Sequence, residues 1–244
     1  MKLKFSNPGE LSKAIDLISE LVTEVKINVS EAGLGITAMD PANVAMVNFK
    51  IPKSSFSEFE ISEGESSEPL GVNLDNLKRI LKRCSSKSQL IIEKDENSLL
   101  IKIQDKIQRN FTLALLDVDV EDKSPPNLEY TANIEIFSQD LIDSIEDCAV
   151  VSDACSFIVE DNKFIIEAKE LNTTRSEFSG DEVTIQAENC KSRYSLEYLQ
   201  KFMKGAKLCE KTILKFANEH PLRIEFKTPN LEIFFILAPR VETE

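Results

Sequence analysis

The chain has 244 residues, of which 29 are Lys or Arg and 42 are Asp or Glu, for a net charge of −13. That length supports one large or two medium domains with a core needing no disulfide or metal staple, and 42% apolar with 29% charged residues is the composition of a folded, soluble protein. Seven glycines leave little room for Gly-rich repeats or phosphate-cradling loops, no apolar run reaches the ~18 residues of a membrane span, and an acidic chain is on its face a poor ligand for phosphates.

The opening residues 1–8 lack the apolar stretch of a secretion signal. Over 9–22, Leu11, Ile15, Ile18 and Val22 share one face at helical spacing and predict the first helix. Two strands around a turn at Glu31-Ala32-Gly33 follow. A second helix is predicted over 73–84, with Leu74, Leu77, Leu81 and Cys84 on its apolar face and Asn73 or Asp75 near its start as a cap. Apolar and polar residues alternate over 99–103, as in a strand. The segment 117–130 carries a run of acids and Pro125-Pro126, which cannot donate to a sheet ladder, and reads as an extended linker. Beyond it the pattern returns: a helix over 139–150, strands about Asp161-Asn162-Lys163, a helix over 195–206 and an alternating strand at 222–226.

The return is a duplication. A shift of 130 residues lays Leu11, Ile15, Ile27, Val29 and Ile36 on Leu141, Ile145, Phe157, Val159 and Ile166. A shift of 122 lays Leu74 and Leu77 on Leu196 and Leu199, Lys82 on Lys204, and 111–115 on 233–237. The difference of eight falls in the Ser/Glu-rich stretch around 62–69. Few helices and many strands in matching order predict an α+β fold of two similar domains, with helices on one face of antiparallel sheets. The domains are expected over 1–116 and 131–244, with the connecting loop over 117–130.

Catalytic signals are missing. Cys84, Cys148, Cys155, Cys190 and Cys209 form no CxxC pair and read as reduced, mostly buried thiols. Helix-to-strand placement argues against a disulfide between Cys148 and Cys155. The one histidine, His220, falls in a turn-like stretch and is expected at the surface. There is no Walker loop, GxGxxG, GxSxG or HExxH. Neither catalysis, nor a metal, nor a cofactor is expected; a carboxylate-dependent hydrolase or a plain acidic interaction module are the weaker readings.

Positive charge is segregated. Within 73–88, Lys78, Arg79, Lys82, Arg83 and Lys87 stand against one acid, Asp75, and residues four apart share the surface opposite the leucines. Lys201, Lys204 and Lys207 recur on the last helix, and Lys13 adds a charge to the first. A solvated helix face is the ordinary explanation. The same polarity at equivalent repeat positions of an acidic chain instead concentrates potential that binds phosphates without reading bases. The helix over 139–150 breaks the pattern with Asp140, Asp143, Glu146 and Asp147.

Four segments together resemble the proliferating cell nuclear antigen family of DNA sliding clamps, in an archaeal rather than eukaryotic form. They are Ala38-Met39-Asp40-Pro41-Ala42-Asn43-Val44, Gly71-Val72-Asn73-Leu74 with Lys82 beyond, Leu116-Asp117-Val118-Asp119-Val120-Glu121, and Leu237-Ala238-Pro239-Arg240-Val241. The resemblance covers essentially the whole chain. It implies the DNA-clamp fold, with three subunits in a ring, sheets outside and helices lining a hole that duplex DNA threads nonspecifically. It also implies a clamp loader and PIP-box partners such as DNA polymerase, flap endonuclease and ligase, with no catalysis, cofactor or membrane. The implied location is cytoplasmic and nucleoid-associated, or nuclear if the source is eukaryotic.

On this resemblance Lys13, Lys78, Arg79, Lys82, Arg83, Lys201, Lys204 and Lys207 are expected to line the DNA path. The partner-peptide pocket, under the connecting loop, is expected at Met39, Val44, Pro125, Pro126, Tyr130, Pro221, Ile236, Ala238, Pro239, Arg240 and Val241. The backbone of 238–241 would add the peptide as a strand. Met39, Val44 and Ile236 also read as plain core, and Lys123 and Pro125 stand where related clamps carry larger aliphatic groups. Subunits are expected to join by edge strands, 107–116 of one with 172–180 of the next. In that joint Asp143, Glu146 and Asp147 would oppose a neighbour's Arg83 and Arg109, with Arg175 and Phe178 alongside. A subunit of a heterotrimeric or checkpoint-type clamp is the alternative.

Overall fold

The computed structural model describes residues 1–5, 8–62, 64–85, 87–118 and 124–241. Residues 119–123 of the predicted linker, Lys123 among them, lie outside the described residues. The chain forms two compact units. One comprises Met1–Pro41, Val47–Pro125 and Pro229–Glu232, the other Ala42–Met46, Pro126–Thr228 and Ile233–Glu244.

The first half of the chain runs β1 (Lys2–Phe5), α1 (Pro8–Ile18), β2 (Glu24–Ser30), β3 (Gly33–Met39), β4 (Ala45–Pro52), β5 (Glu58–Glu60), β6 (Ser67–Asn73), α2 (Leu74–Leu81), β7 (Gln89–Asp95), β8 (Ser98–Gln104) and β9 (Gln108–Ala114). The second half runs β10 (Ala132–Phe137), α3 (Ser138–Val151), β11 (Ala154–Glu160), β12 (Lys163–Lys169), β13 (Thr173–Phe178), β14 (Val183–Ala187), β15 (Cys190–Ser195), α4 (Leu196–Ala206), β16 (Lys211–Phe216), β17 (Leu222–Lys227) and β18 (Glu232–Leu237). Both read strand, helix, five strands, helix, three strands.

Strand order repeats as well. The runs β5-β1-β7-β8-β9 and β4-β3-β2-β6 become β14-β10-β16-β17-β18 and β13-β12-β11-β15, strand for strand. The antiparallel pair Ile27↔Ile36 recurs as Phe157↔Ile166, the same residues that the 130-residue shift superposes. Each apolar helix stripe is buried against its own half, and α1 packs on α2 as α3 packs on α4. In the second half Phe157 meets Phe164, Tyr194 and Phe216 edge-on at 5.6, 5.4 and 6.0 Å, and Phe202 stacks on Phe235 at 4.3 Å. Aromatic rings of this kind bury a large apolar area each and dominate core energetics.

The first helix is shorter than its periodicity. It ends at Ile18, and the amides of Leu21 and Val22 both turn back onto the Ile18 carbonyl at 3.0 and 3.2 Å. Leu21 and Val22 are nevertheless buried, so the apolar spacing outlives the helix. The second helix is also trimmed at both ends. Asn73 is its cap, its side chain accepting the Asn76 amide at 3.0 Å, and residues 82–84 follow as turns. All five cysteines are free thiols, with Cys148, Cys155 and Cys190 buried. Among the described residues no helix is long and apolar enough to cross a membrane, and no group of three or more His, Cys, Asp or Glu could hold a metal ion.

Candidate nucleic-acid interface and partner site

The buried faces of the helices fix where their charges point. With Leu74, Leu77 and Leu81 buried, α2 leaves Arg79, Lys82 and Arg83 exposed; with Leu199, Phe202 and Met203 buried, α4 leaves Lys204 and Lys207 exposed. Lys13 is exposed on α1. Cations in the last turn of α2 also suit the helix dipole, worth about 0.3–1 kcal/mol, so part of the pattern has a local cause.

Lys78 has a different job. Its Nζ lies 2.8 Å from Asp16 Oδ1 and 4.0 Å from Glu20, and it donates to Ser19 Oγ at 3.0 Å. Lys82 reaches the same Asp16 oxygen at 3.1 Å. Burial pushes the Asp16 carboxyl up, but the hydrogen bonds of Lys78 and Lys82 outweigh it and hold it below the usual carboxylate range. The hydrogen bond to Asp16 raises Lys78 in turn, against burial. Asp16 thus pins α1 to α2 and cancels part of the charge that the sequence assigns to phosphates. Lys201 is similarly drawn to Glu197, at 2.9 Å, and lies over the Tyr198 ring. Arg79, Lys82, Arg83, Lys204 and Lys207 are exposed on α2, α4 and the turns that follow them, Lys82 with its ammonium drawn to Asp16. Sequence reasoning missed Asp16, although the 130-residue shift lays it on Glu146, an acid at the same repeat position.

The two segments expected at subunit joints are both edge strands: β9 ends one sheet and β13 ends another, with no strand beyond either among the described residues. Helix α2 touches β9 and α3 touches β13, so one edge borders a basic helix and the other an acidic one. Asp143, Glu146 and Asp147 are exposed on α3. Arg109, however, is engaged at home, donating to the Arg83 carbonyl at 2.9 Å and pairing with Asp105. Arg175 is bound to Glu167 at 2.9 Å and Glu177 at 2.7 Å, and Phe178 stacks on Phe164. Of the two arginines expected to face a neighbour's acids, Arg83 is the exposed one.

Of the expected peptide pocket, Met39 and Pro125 belong to the first unit and the remaining residues to the second. Ile236 is buried, as core; Val44, Tyr130, Pro221, Ala238 and Pro239 are half-buried; Pro126, Arg240 and Val241 are exposed. Tyr130 meets the His220 ring edge-on at 5.7 Å, and the His220 carbonyl accepts Tyr194 Oη at 2.7 Å and Ser192 Oγ at 3.0 Å. The half-buried His220 is therefore a brace for the turn that presents Pro221, not a free surface residue.

Strand addition along 238–241 would meet a backbone that is already partly paired. The Ala238 amide donates to the Val44 carbonyl at 2.9 Å and the Arg240 amide to the Arg193 carbonyl at 2.7 Å. Pro239 has no N–H. A regular ladder requires alternating donors and acceptors, and among the described residues Val241 is the one position of this segment whose amide has no bond to a backbone carbonyl. What the segment offers a further strand is chiefly its carbonyl oxygens.

The N-terminal domain of proliferating cell nuclear antigen matches residues 1–123 and its C-terminal domain matches residues 124–241. The chain belongs to the proliferating cell nuclear antigen family. Among relatives, the DNA polymerase sliding clamp of Pyrococcus furiosus is 35% identical over 99% of this chain and 98% of its own length. The DNA polymerase sliding clamp 1 of Thermococcus kodakarensis is 34% identical over 98% of this chain and 97% of its own. Proliferating cell nuclear antigen structures share the fold: that from Entamoeba histolytica gives a TM-score of 0.90 at 23% identity, covering 98% of both chains. One from Thermococcus kodakaraensis gives 0.91 at 22% identity, covering 98% of this chain and 99% of that one. The duplicated strand order is thus the family's fold, and the basic helices and open edges are this member's version of it.

Proposed function

We propose that the chain is a DNA sliding clamp: three copies close into a ring around duplex DNA and tether replication and repair enzymes, without catalysis of their own. The observation that carries this is likeness to archaeal DNA polymerase sliding clamps along the full length of both chains. Two similar domains, over 1–116 and 131–244, are joined by the loop 117–130. The exposed Arg79, Arg83, Lys204 and Lys207, with Lys13, supply loose phosphate contact. Retention comes from topology, so weak and sequence-blind contact is what sliding needs. The acidic remainder of the chain repels DNA from other surfaces. A clamp loader and PIP-box enzymes are the remaining partners.

The test is primer extension on singly primed circular DNA with a matching polymerase and loader. Product length per binding event should rise severalfold with the clamp, and should fall back when Arg79, Arg83, Lys204 and Lys207 are all changed to alanine. No gain with the native chain would sink the proposal.

Pairing of β9 with a neighbour's β13 closes the ring, helped by Asp143, Glu146 and Asp147 against Arg83. Light scattering on the native chain should give the mass of three copies. Asp143→Lys combined with Asp147→Lys should raise the dissociation constant at low salt by roughly tenfold or more, as expected for like charges set across an interface. An unchanged constant would remove the acidic helix from the joint.

A further inference from the structure

The second unit holds a cavity of about 300 Å³ whose lining includes Lys191, Arg193, Asn218, Glu219, Arg240 and Val241. Its walls are tied together. The Lys191 amide donates to Asn218 Oδ1 at 3.3 Å, and the Lys191 carbonyl accepts the Glu219 amide at 2.9 Å. The Arg240 amide reaches the Arg193 carbonyl at 2.7 Å, and its guanidinium pairs with Asp153 at 2.6 Å. Among the described residues the lining carries three cations, Lys191, Arg193 and Arg240, and one acid, Glu219, in a chain whose net charge is −13. Asp153 offsets Arg240, and Lys191 remains exposed on β15.

We propose that this cavity takes a carboxylate side chain from the flank of a bound partner peptide, and so makes the clamp prefer acidic-flanked partners. The proposal rests on the peptide-site reading above. Pro239, Arg240 and Val241 are residues of that site and also line the cavity, so a peptide seated on them continues over it. The 238–241 backbone has few amides to donate, which leaves side-chain cations as the main means of holding an acceptor there. A carboxylate beside lysine and arginine gains charge-assisted hydrogen bonds, which are roughly twice as strong as neutral ones. Elsewhere the acidic chain repels it. Duplex phosphate is the other anion that fits the chemistry, but the cavity shares its wall with the peptide segment, and the exposed cations of α2 and α4 lie outside its lining.

Fluorescence anisotropy with labelled PIP-box peptides differing only in their flanking residues tests this. Asp-flanked peptide should bind the native protein roughly fivefold or more tighter than Asn-flanked peptide at low salt, and the margin should shrink at 0.5 M salt as the charges are screened. Lys191→Gln should narrow the margin, and Lys191→Glu should reverse it in favour of a Lys-flanked peptide. Lys191 is exposed, so neither change burdens folding. Equal binding of Asp- and Asn-flanked peptides to the native protein overturns the carboxylate assignment while leaving the peptide site intact. Failure of every peptide to bind overturns both. If Lys191→Glu leaves the peptide margins alone and instead weakens retention on circular DNA, the cavity is a phosphate contact and the proposal is wrong.

Discussion

Gly71→Ala is expected to cost about 3 kcal/mol, the upper part of the range for overpacking a closed site. A β-carbon at Gly71 would lie 2.0 Å from the Leu116 carbonyl oxygen and 2.8 Å from a Val118 methyl. The Leu116 amide donates to the Gly71 carbonyl at 2.8 Å, so this is where the chain, on leaving β9, is laid against β6. Neither side can retreat without losing that hydrogen bond. In thermal unfolding at fixed protein concentration the midpoint should fall by roughly 6–12 °C, taking 2–4 °C per kcal/mol for a chain of this size. Gly35→Ala is the internal control: its β-carbon would meet the Phe49 carbonyl at 3.5 Å, an ordinary contact. A Gly71 variant no worse than the Gly35 variant would mean that residues 116–118 do not stay against β6.

Glu225→Ala is the second large expected loss. Glu225 is buried on β17, 3% exposed, with Lys215 at 2.8 Å, Arg223 at 2.7 Å and Lys227 at 3.5 Å. Removing one partner of a buried ion pair costs about 3–5 kcal/mol when the remaining charge is stranded. Here the cations keep partial access to water, so about 2–3 kcal/mol is expected. Burial pushes the Glu225 carboxyl up, but Lys215 and Arg223 outweigh it and hold it below the ordinary 4.5. A depressed carboxyl contributes stability that is fully present above the unfolded value and is lost as pH falls through the folded one. The gap between native protein and Glu225→Gln should therefore be widest near neutral pH and close as pH drops below about 4.5. A gap that stays constant from pH 7 to pH 3 would show that the carboxylate charge does no stabilising.

Periodicity made much of this fold legible. The helix over 139–150 and the helix over 195–206 fall within a residue of α3 and α4, because Leu141, Ile145, Leu199 and Phe202 repeat at the spacing of one buried face. Duplication was legible because paired core positions such as Ile27 with Ile36 cannot drift independently. End points were less so: Leu21 and Val22 keep apolar spacing past the end of α1 because burial, not helix, is what the spacing records. Ion pairs were illegible. Asp16 and Lys78 are 62 positions apart, and nothing in either segment announces that one neutralises the other. The state of the backbone at 238–241 was equally hidden, since its amides are taken by Val44 and Arg193, which only folding brings near. Charges counted on a helix are an upper bound on the charge it presents.

The open edges β9 and β13 are different strands, one beside the basic α2 and the other beside the acidic α3. A joint between unlike surfaces is head-to-tail, and head-to-tail association has a direction. Two chains so joined still expose one edge of each kind, and a third inherits the same need. A circle alone leaves neither of these two edges open; a rotation that missed closure would yield a filament. A chain with either edge spoiled would then end the series at that point, whatever the state of its other edge.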